Sequence, residues 1–174
     1  MITTRLIAAD DAPALADLLV ANHEHLARWE PRRDPGYATV DGQRAAIDDA
    51  LRQYEAGTQV PHVIVDDGRI VGRTALSSVI RGFFQSCSLS YWVAAADTGR
   101  GIGTTVARSM VRIAFDELDL HRVQAETLLD NTASQRVLER VGFTRIGVAP
   151  AFLKIAGRWQ DHVLFQLVRP DGER

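Results

Sequence analysis

Between a strand-like run ending at Tyr91-Trp92-Val93 and an amphipathic run opening at Ile102, the chain carries Thr98-Gly99-Arg100-Gly101-Ile102-Gly103-Thr104. Glycines remove Cβ atoms from this short loop, so the backbone N–H groups of Gly99, Arg100, Gly101, Ile102, Gly103 and Thr104 can converge on one point. A helix starting at Gly101 or Ile102 turns its positive dipole end toward the same point. The chemistry this suits is the binding of an anion such as a pyrophosphate. Two common phosphate loops differ from it in detail. A Walker-type loop needs Lys and then Ser or Thr after its last glycine, and here Gly103 is followed directly by Thr104. A dinucleotide fingerprint needs G-x-G-x-x-G after the first strand of a βαβ unit, whereas these glycines run G-x-G-x-G in mid-chain, behind apparent antiparallel hairpins. Taken alone, the cluster also fits a helix entered through a flexible loop.

Further along, Asp130-Asn131-Thr132-Ala133-Ser134-Gln135-Arg136-Val137-Leu138-Glu139-Arg140-Val141-Gly142 reads as a helix capped by Asn131 or Asp130 and stopped at Gly142. Residues 134, 137, 138 and 141 share a face, which puts Ser134 in the first turn on the side of the apolar stripe. Its hydroxyl is either satisfied by local backbone or aimed into a cleft. Glu126 shares a strand face with Gln124 and Leu128; it is either a solvent-facing carboxylate or a proton acceptor bordering that cleft. Asp161, His162 and His62 are further titratable candidates. His23 and His25 make no metal pair, because i and i+2 residues of a helix point apart and no third ligand lies at useful spacing, so no metal is expected. The single Cys87 excludes an internal disulfide framework and reads as a small packed residue. Trp159 and the Tyr91 ring read as packing residues.

Strands and helices alternate around these groups without repeats or linkers. Residues 2 to 8 suit a strand, Asp10-Asp11-Ala12-Pro13 opens a helix, and residues 29 to 36 are too rich in Pro and charge for either. A second helix is expected from Asp41 to Ala56. Asp67-Gly68 marks a hairpin between strands over 61–66 and 69–80. Strands follow over 86–94 and 121–129, and a long hairpin over 143–155 and 158–168 turns at Ala156-Gly157. Ile102, Val106, Met110, Ile113 and Leu118 form the apolar stripe of the helix after the glycine loop. The 174 residues, 46% of them apolar, suit one domain spanning 1–174. A net charge of −2 supplies no basic field, so direct nucleic-acid binding is not expected. No run of about 18 apolar residues and no leader pattern at Met1–Leu6 is present, which points away from membranes and to the cytoplasm.

Thr98-Gly99-Arg100-Gly101-Ile102-Gly103 resembles the acyl-CoA loop [Q/R]-x-x-G-x-[G/A] of the GNAT N-acetyltransferases in all but Thr98, where the family usually has Gln or Arg. Asn131-x-x-Ser134-x-x-Val137-Leu138-x-x-Val141-Gly142-Phe143 is similar to the signature that follows the family's fifth strand. Trp29-Glu30-Pro31, Val79-Ile80-Arg81-Gly82-x-Phe84 and Leu153-Lys154-Ile155-x-Gly157-x-Trp159-x-Asp161-His162-Val163-Leu164 look like its RimJ/RimL branch, nearest the RimJ members that acetylate the N-terminal amine of a ribosomal protein. The fold class implied is α/β: the GNAT fold, a mixed, mostly antiparallel sheet of six to seven strands, splayed between the fourth and fifth and flanked by about four helices.

The resemblance implies acetyl-CoA as cofactor, with its pantetheine arm pairing to backbone at Leu89, Tyr91, Trp92 and Val93, its pyrophosphate on the glycine loop, and Asn131 in contact with it. It makes Ser134 a donor to the departing thiolate and puts an oxyanion site at main-chain N–H groups near Val93. Trp29 and the nearby Arg32 and Arg33 lie in a loop that would overhang the acceptor. The family often carries a Glu on the fourth strand, where this chain has Ser88, so that role is vacant or moved; Glu126 is the first candidate base, with Asp161, His162 and His62 as the others. An α-amine is roughly 20–30% neutral near pH 7.4, a Lys amine only about 0.1%, so an N-terminal acceptor makes the smaller demand on a base. The acceptor expected is a protein N-terminus, alternatively a small amine; a third possibility is an acyl-CoA-binding module without turnover. The expected assembly is a monomer or homodimer.

Overall fold

The computed structural model describes residues 1–170. One seven-stranded sheet runs through it in the order β1-β2-β3-β4-β5-β7-β6. Its strands are β1 (Ile2–Leu6), β2 (Val60–Asp66), β3 (Arg69–Ile80), β4 (Ser86–Val93), β5 (Arg122–Leu128), β6 (Thr144–Ile155) and β7 (Arg158–Val168). Five α-helices accompany it, one more than expected: α1 (Ala12–Ala21), α2 (His23–Ala27), α3 (Val40–Glu55), α4 (Ile102–Arg112) and α5 (Thr132–Val141). The extra element is α2, a short turn of helix just before the Pro-rich loop. Both hairpin turns carry positive φ at the two positions expected from sequence, 48° and 83° at Asp67-Gly68 and 51° and 84° at Ala156-Gly157.

Apolar side chains pack on both faces of the sheet. On one, Ile102, Val106 and Met110 of α4 and Leu138 of α5 meet Val71, Leu76, Leu89, Val123 and Phe165. On the other, Leu15 of α1 and Ile47 of α3 cover Ile7 and Val63. The α4 stripe continues through a π-helical turn over Ile113–Glu117, closed by the Leu118 N–H donating to the Ile113 carbonyl at 2.9 Å. Cys87 is buried in the α4-side core, where burial pushes its thiol up to about 12. Trp159, expected to pack, is instead 65% exposed, because Arg158 and Trp159 open the strand after the β6–β7 turn, outside both cores.

Every neighbouring pair of strands is antiparallel except β4–β5. That parallel pair is short: Ser86, Cys87 and Ser88 meet Arg122, Val123 and Gln124, and pairing ends there. On its other side β4 stays paired to β3 as far as Val93. The sheet therefore opens between β4 and β5 just where the sequence runs into the glycine loop. Among the described residues, no helix is long and apolar enough to cross a membrane.

Candidate active site

Backbone groups of Leu89 to Val93 on the β5 side of β4 have no strand partner, an uncommon condition inside a sheet and a ready seat for an extended ligand. Past Val93, a single 3₁₀ turn over Ala95–Asp97 leads into the loop. Gly99 and Gly101 sit at φ of 75° and 78°, a region costly for any residue with a Cβ. Gly101 is the N-cap of α4 and has no side chain to cap it, so the first amides of the helix remain free for an anion. Gly103 serves packing: a Cβ there would stand 3.4 Å from Val137 and 3.5 Å from Tyr91, which lets α4 lie close to α5 and β4.

Charged groups brace the loop from behind. Asp97, 3% exposed, accepts from both arms of Arg69 at 2.8 and 3.1 Å and from Arg100 at 2.9 Å. The Arg69 contacts hold its carboxyl below the usual carboxylate range. Arg100 also reaches Asp66 at 2.8 Å. Its side chain is thus turned to the β2–β3 hairpin, and only its main chain is available to the cradle. The Ala95 N–H donates to Asn22 Oδ1 at 2.7 Å, tying the approach to the loop to the end of α1.

The loop and the open edge of β4 border a cleft of about 820 Å³ whose walls include Leu89 to Val93, Gly99, Gly101 to Thr104, Asn131 and Ser134. Asn131, not Asp130, caps α5, its Oδ1 accepting from the Ser134 N–H at 3.1 Å. Ser134 Oγ is 2.8 Å from the Tyr91 hydroxyl, and burial pushes that phenol up to about 12. Both side chains belong to the α4–α5 side of the sheet, since the Tyr91 ring packs against that core.

The opposite face carries the carboxylates. Residues directly opposed in a sheet share a face, and so do residues two apart in a strand. Ser88 opposes Gln124, Leu128 opposes His162, and Trp92 opposes Arg73, which opposes Val63 of the α1–α3 core. Ser88, Glu126 and His162 therefore look out on the α1–α3 side. Glu126 also borders the cleft; its Oε2 accepts from Ser88 Oγ at 3.2 Å. Burial raises its carboxyl above the ordinary value, against the opposing pull of Ser88 and His162. His162 is 3% exposed and lines the same cleft, with Nδ1 3.0 Å from the Gln160 carbonyl.

The loop after α2 roofs this side. Trp29, Glu30, Pro31 and Arg33 line the cleft, and the Ala156 N–H donates to the Glu30 carbonyl at 3.1 Å, pinning the loop to the β6–β7 turn. Burial raises the Glu30 carboxyl despite Arg33 and Arg73. Arg32 stands elsewhere: it lies over Gly157, where a Cβ would meet its Nε at 2.7 Å, and Arg33 takes the cleft-lining place expected of it. His62 sits in β2 away from the cleft, held below the usual imidazole range by burial, and Asp161 accepts from the Ala151 N–H at 2.9 Å. Among the described residues no group of three or more His, Cys, Asp or Glu side chains could hold a metal ion.

A strand that opens onto a glycine loop and a helix N-terminus has a counterpart among known proteins: residues 2–144 match the family described as acetyltransferase (GNAT) domain. The chain belongs to the GNAT acetyltransferase family. A probable N-acetyltransferase, YjcK, of Bacillus subtilis (strain 168) is 34% identical over 99% of this chain and 97% of its own. The [ribosomal protein uS5]-alanine N-acetyltransferase of Escherichia coli (strain K12) is 31% identical over 98% of this chain and 89% of its own. The solved structure of Mycobacterium smegmatis RimJ in complex with CoA-disulfide superposes with a TM-score of 0.95 at 30% identity, covering 99% of this chain and 84% of that one. The chain is accordingly an acyltransferase of the RimJ/RimL type, and the splayed sheet is the GNAT sheet.

For this GNAT enzyme, reading the sequence missed the Tyr91 hydroxyl. Leu89, Tyr91 and Val93 lie two apart in β4 and share a face, and a hydroxyl on a cleft-edge ring was the available signal. Glu30 was missed because a loop's side-chain directions follow from what it rests on, here the β6–β7 turn more than 120 residues away in sequence.

Proposed function

We propose that this enzyme transfers the acetyl group of acetyl-CoA to the N-terminal α-amine of a protein, a ribosomal protein by the pattern of its relatives, through direct attack of the amine. The observation that carries the reading is the end of β4–β5 pairing at Ser88, which leaves an unpaired edge leading straight into the glycine loop. That edge suits an amide-bearing pantetheine arm, and the loop amides suit a pyrophosphate, so the residues present fit acetyl-CoA. The whole of 1–174 would be one catalytic domain working in the cytoplasm, where ribosomal proteins are made.

Acetyl-CoA supplies an activated thioester carbonyl. The chain supplies the rest from two sides of the sheet. On the α1–α3 side, Glu126 accepts the proton of the incoming amine, and its raised pKa brings it nearer to working pH than an ordinary carboxylate. Trp29 and the neighbouring loop cover that side and exclude water. Main-chain N–H groups around Val93 face the developing oxyanion. On the α4–α5 side, Ser134, oriented by Tyr91 and by its own N–H on Asn131, directs a hydroxyl at the departing sulfur.

A second reading, a small cationic amine as acceptor, is favoured by the carboxylates of Glu30 and Glu126 lining one cleft. The deciding experiment measures CoA release from acetyl-CoA, with mass detection of product, over peptides differing in their first residues, small primary amines and Lys peptides. Turnover on free peptide N-termini supports the proposal. Turnover confined to small amines replaces it with the second reading. CoA binding without transfer to any acceptor would make the chain a binding module.

A further inference from the structure

β5 sends two neighbouring residues to the wall of the cleft, Glu126 and Thr127. Successive residues of a strand point to opposite faces, so with Glu126 on the α1–α3 side Thr127 faces the α4–α5 side. Its neighbours agree: Val123 and Ala125 precede it at two-residue spacing, Val163 opposes it on β7, and all three belong to the α4-side core. Thr127 is only 4% exposed, and its Oγ1 is buried without a hydrogen-bond partner among the described residues. Side-chain atoms of Gln43, Gln59, His62 and Arg122 are orphaned in the same way, but none of those residues lines the cleft. A buried hydroxyl without a partner destabilises a fold, and a valine would fill the same β-branched place in an apolar wall without that cost.

Position along the strand narrows what the hydroxyl serves. β5 leaves β4 after Gln124, so at Thr127 the sheet is already open. Tyr91 and Ser134 border the opening on the same face, the side of the departing sulfur, while the amine arrives on the face of Glu126. We propose that Thr127 is a further catalytic residue, its hydroxyl donating to the sulfur from the β5 wall as the thioester is cleaved, while Ser134 donates from α5. The inference rests on the reading of the cleft as the acetyl-CoA site. As the amine nitrogen bonds to the carbonyl carbon and the carbon–sulfur bond breaks, the electron pair stays on sulfur. Glu126 takes the amine's proton, and Thr127 keeps its own throughout. A neutral thioester sulfur is a weak acceptor and a thiolate a strong one, so this hydrogen bond strengthens as the transition state is reached. A hydroxyl that costs stability in the resting wall is the pattern expected of a group kept for the reaction.

The test compares Thr127→Val, which removes the hydroxyl and keeps the β-branched shape, with Thr127→Ser, which keeps a hydroxyl. Three quantities are measured on the full chain: kcat at saturating acetyl-CoA, the pKa of the CoA thiol in its binary complex by thiolate absorbance, and the melting temperature without ligand. Thr127→Val is expected to lose about 10- to 100-fold in kcat and to raise the pKa of the bound thiol by about 1–2 units, the same factor read in the ground state. Without ligand it should melt at or above the parent temperature, because it removes an orphaned polar atom. Thr127→Ser should stay within about threefold of the parent in kcat, since the donor is retained. A parent-like kcat or a parent-like thiol pKa in Thr127→Val overturns the proposal and leaves the acetyl-CoA reading standing. A lower melting temperature overturns it too, by showing the hydroxyl to be paired within the fold. A parent that binds no CoA removes the cleft assignment and the proposal with it.

Discussion

Replacing Ser134 by Ala and Tyr91 by Phe, singly and together, separates a hydrogen-bonded relay from two independent contributions. The two hydroxyls are 2.8 Å apart, and burial pushes the Tyr91 phenol up to about 12. An alkyl thiol titrates near 8.5, so handing the Tyr91 proton to a thiolate would run uphill by about 3.5 pKa units, about 5 kcal/mol at 1.36 kcal/mol per unit. Outright transfer from Tyr91 is therefore excluded as an efficient step. What remains is hydrogen-bond donation, Tyr91 to Ser134 and Ser134 outward to the sulfur. A hydrogen bond to a charged group is worth about 1.5–3 kcal/mol, or about 10- to 150-fold in rate. Ser134→Ala should lose kcat within that range. Tyr91→Phe keeps the outward donor but not its polarisation or fixed orientation, and should lose less, about 3- to 10-fold. Because Tyr91 acts through Ser134, the double variant should lie within about twofold of Ser134→Ala alone. The assay is CoA release at saturating acetyl-CoA, with CoA affinity followed by calorimetry and expected to stay within about threefold of the parent. A double variant whose loss equals the product of the single losses would refute the relay.

Glu126→Gln should lower kcat/KM by about 100-fold, the lower end of what a general base supplies, and remove the contribution of Glu126 to the acid limb of the pH–rate profile, leaving the limb set by the acceptor amine's own titration. Burial raises the folded-state pKa of Glu126, so the folded chain binds more protons than the unfolded one between the ordinary carboxylate value and the raised one, and stability falls as pH rises through that window. Glu126→Gln should therefore melt higher than the parent at pH 8 and equally at pH 4; a lower melting temperature at pH 8 would contradict this account. Arg100→Ala deletes contacts to Asp66 and Asp97 at 2.8 and 2.9 Å that brace the glycine loop from behind. It should raise KM for acetyl-CoA about fivefold, the order of about 1 kcal/mol that half-exposed arginine pairs contribute, with kcat within about twofold. A fall in kcat at unchanged KM would mean that Arg100 serves the chemistry instead.

The parts of this site that could be read from the sequence are those whose geometry is set within a few residues. Gly99 and Gly101 mark a loop because positive φ is a local requirement, and Asn131 three positions before Ser134 marks an N-cap because the side chain reaches only that far. Strand alternation likewise puts Tyr91 and Trp92 on opposite faces whatever their partners. What could not be read are contacts closed across the sheet: Tyr91 to Ser134, Glu30 to Ala156, Arg100 to Asp66. Position 88 shows why the distinction matters. The resemblance called for a carboxylate on the fourth strand and found a serine, so the role looked vacant or moved. In the fold, Ser88 donates to Glu126 from the neighbouring strand, and that carboxylate stands over the same face of β4. A parallel pair that ends at Ser88 sets β5 alongside β4 for only three residues, just long enough to carry Glu126 to the mouth of the opening. On the proposed mechanism the position of the negative charge in space is what the reaction needs, and either strand can supply it.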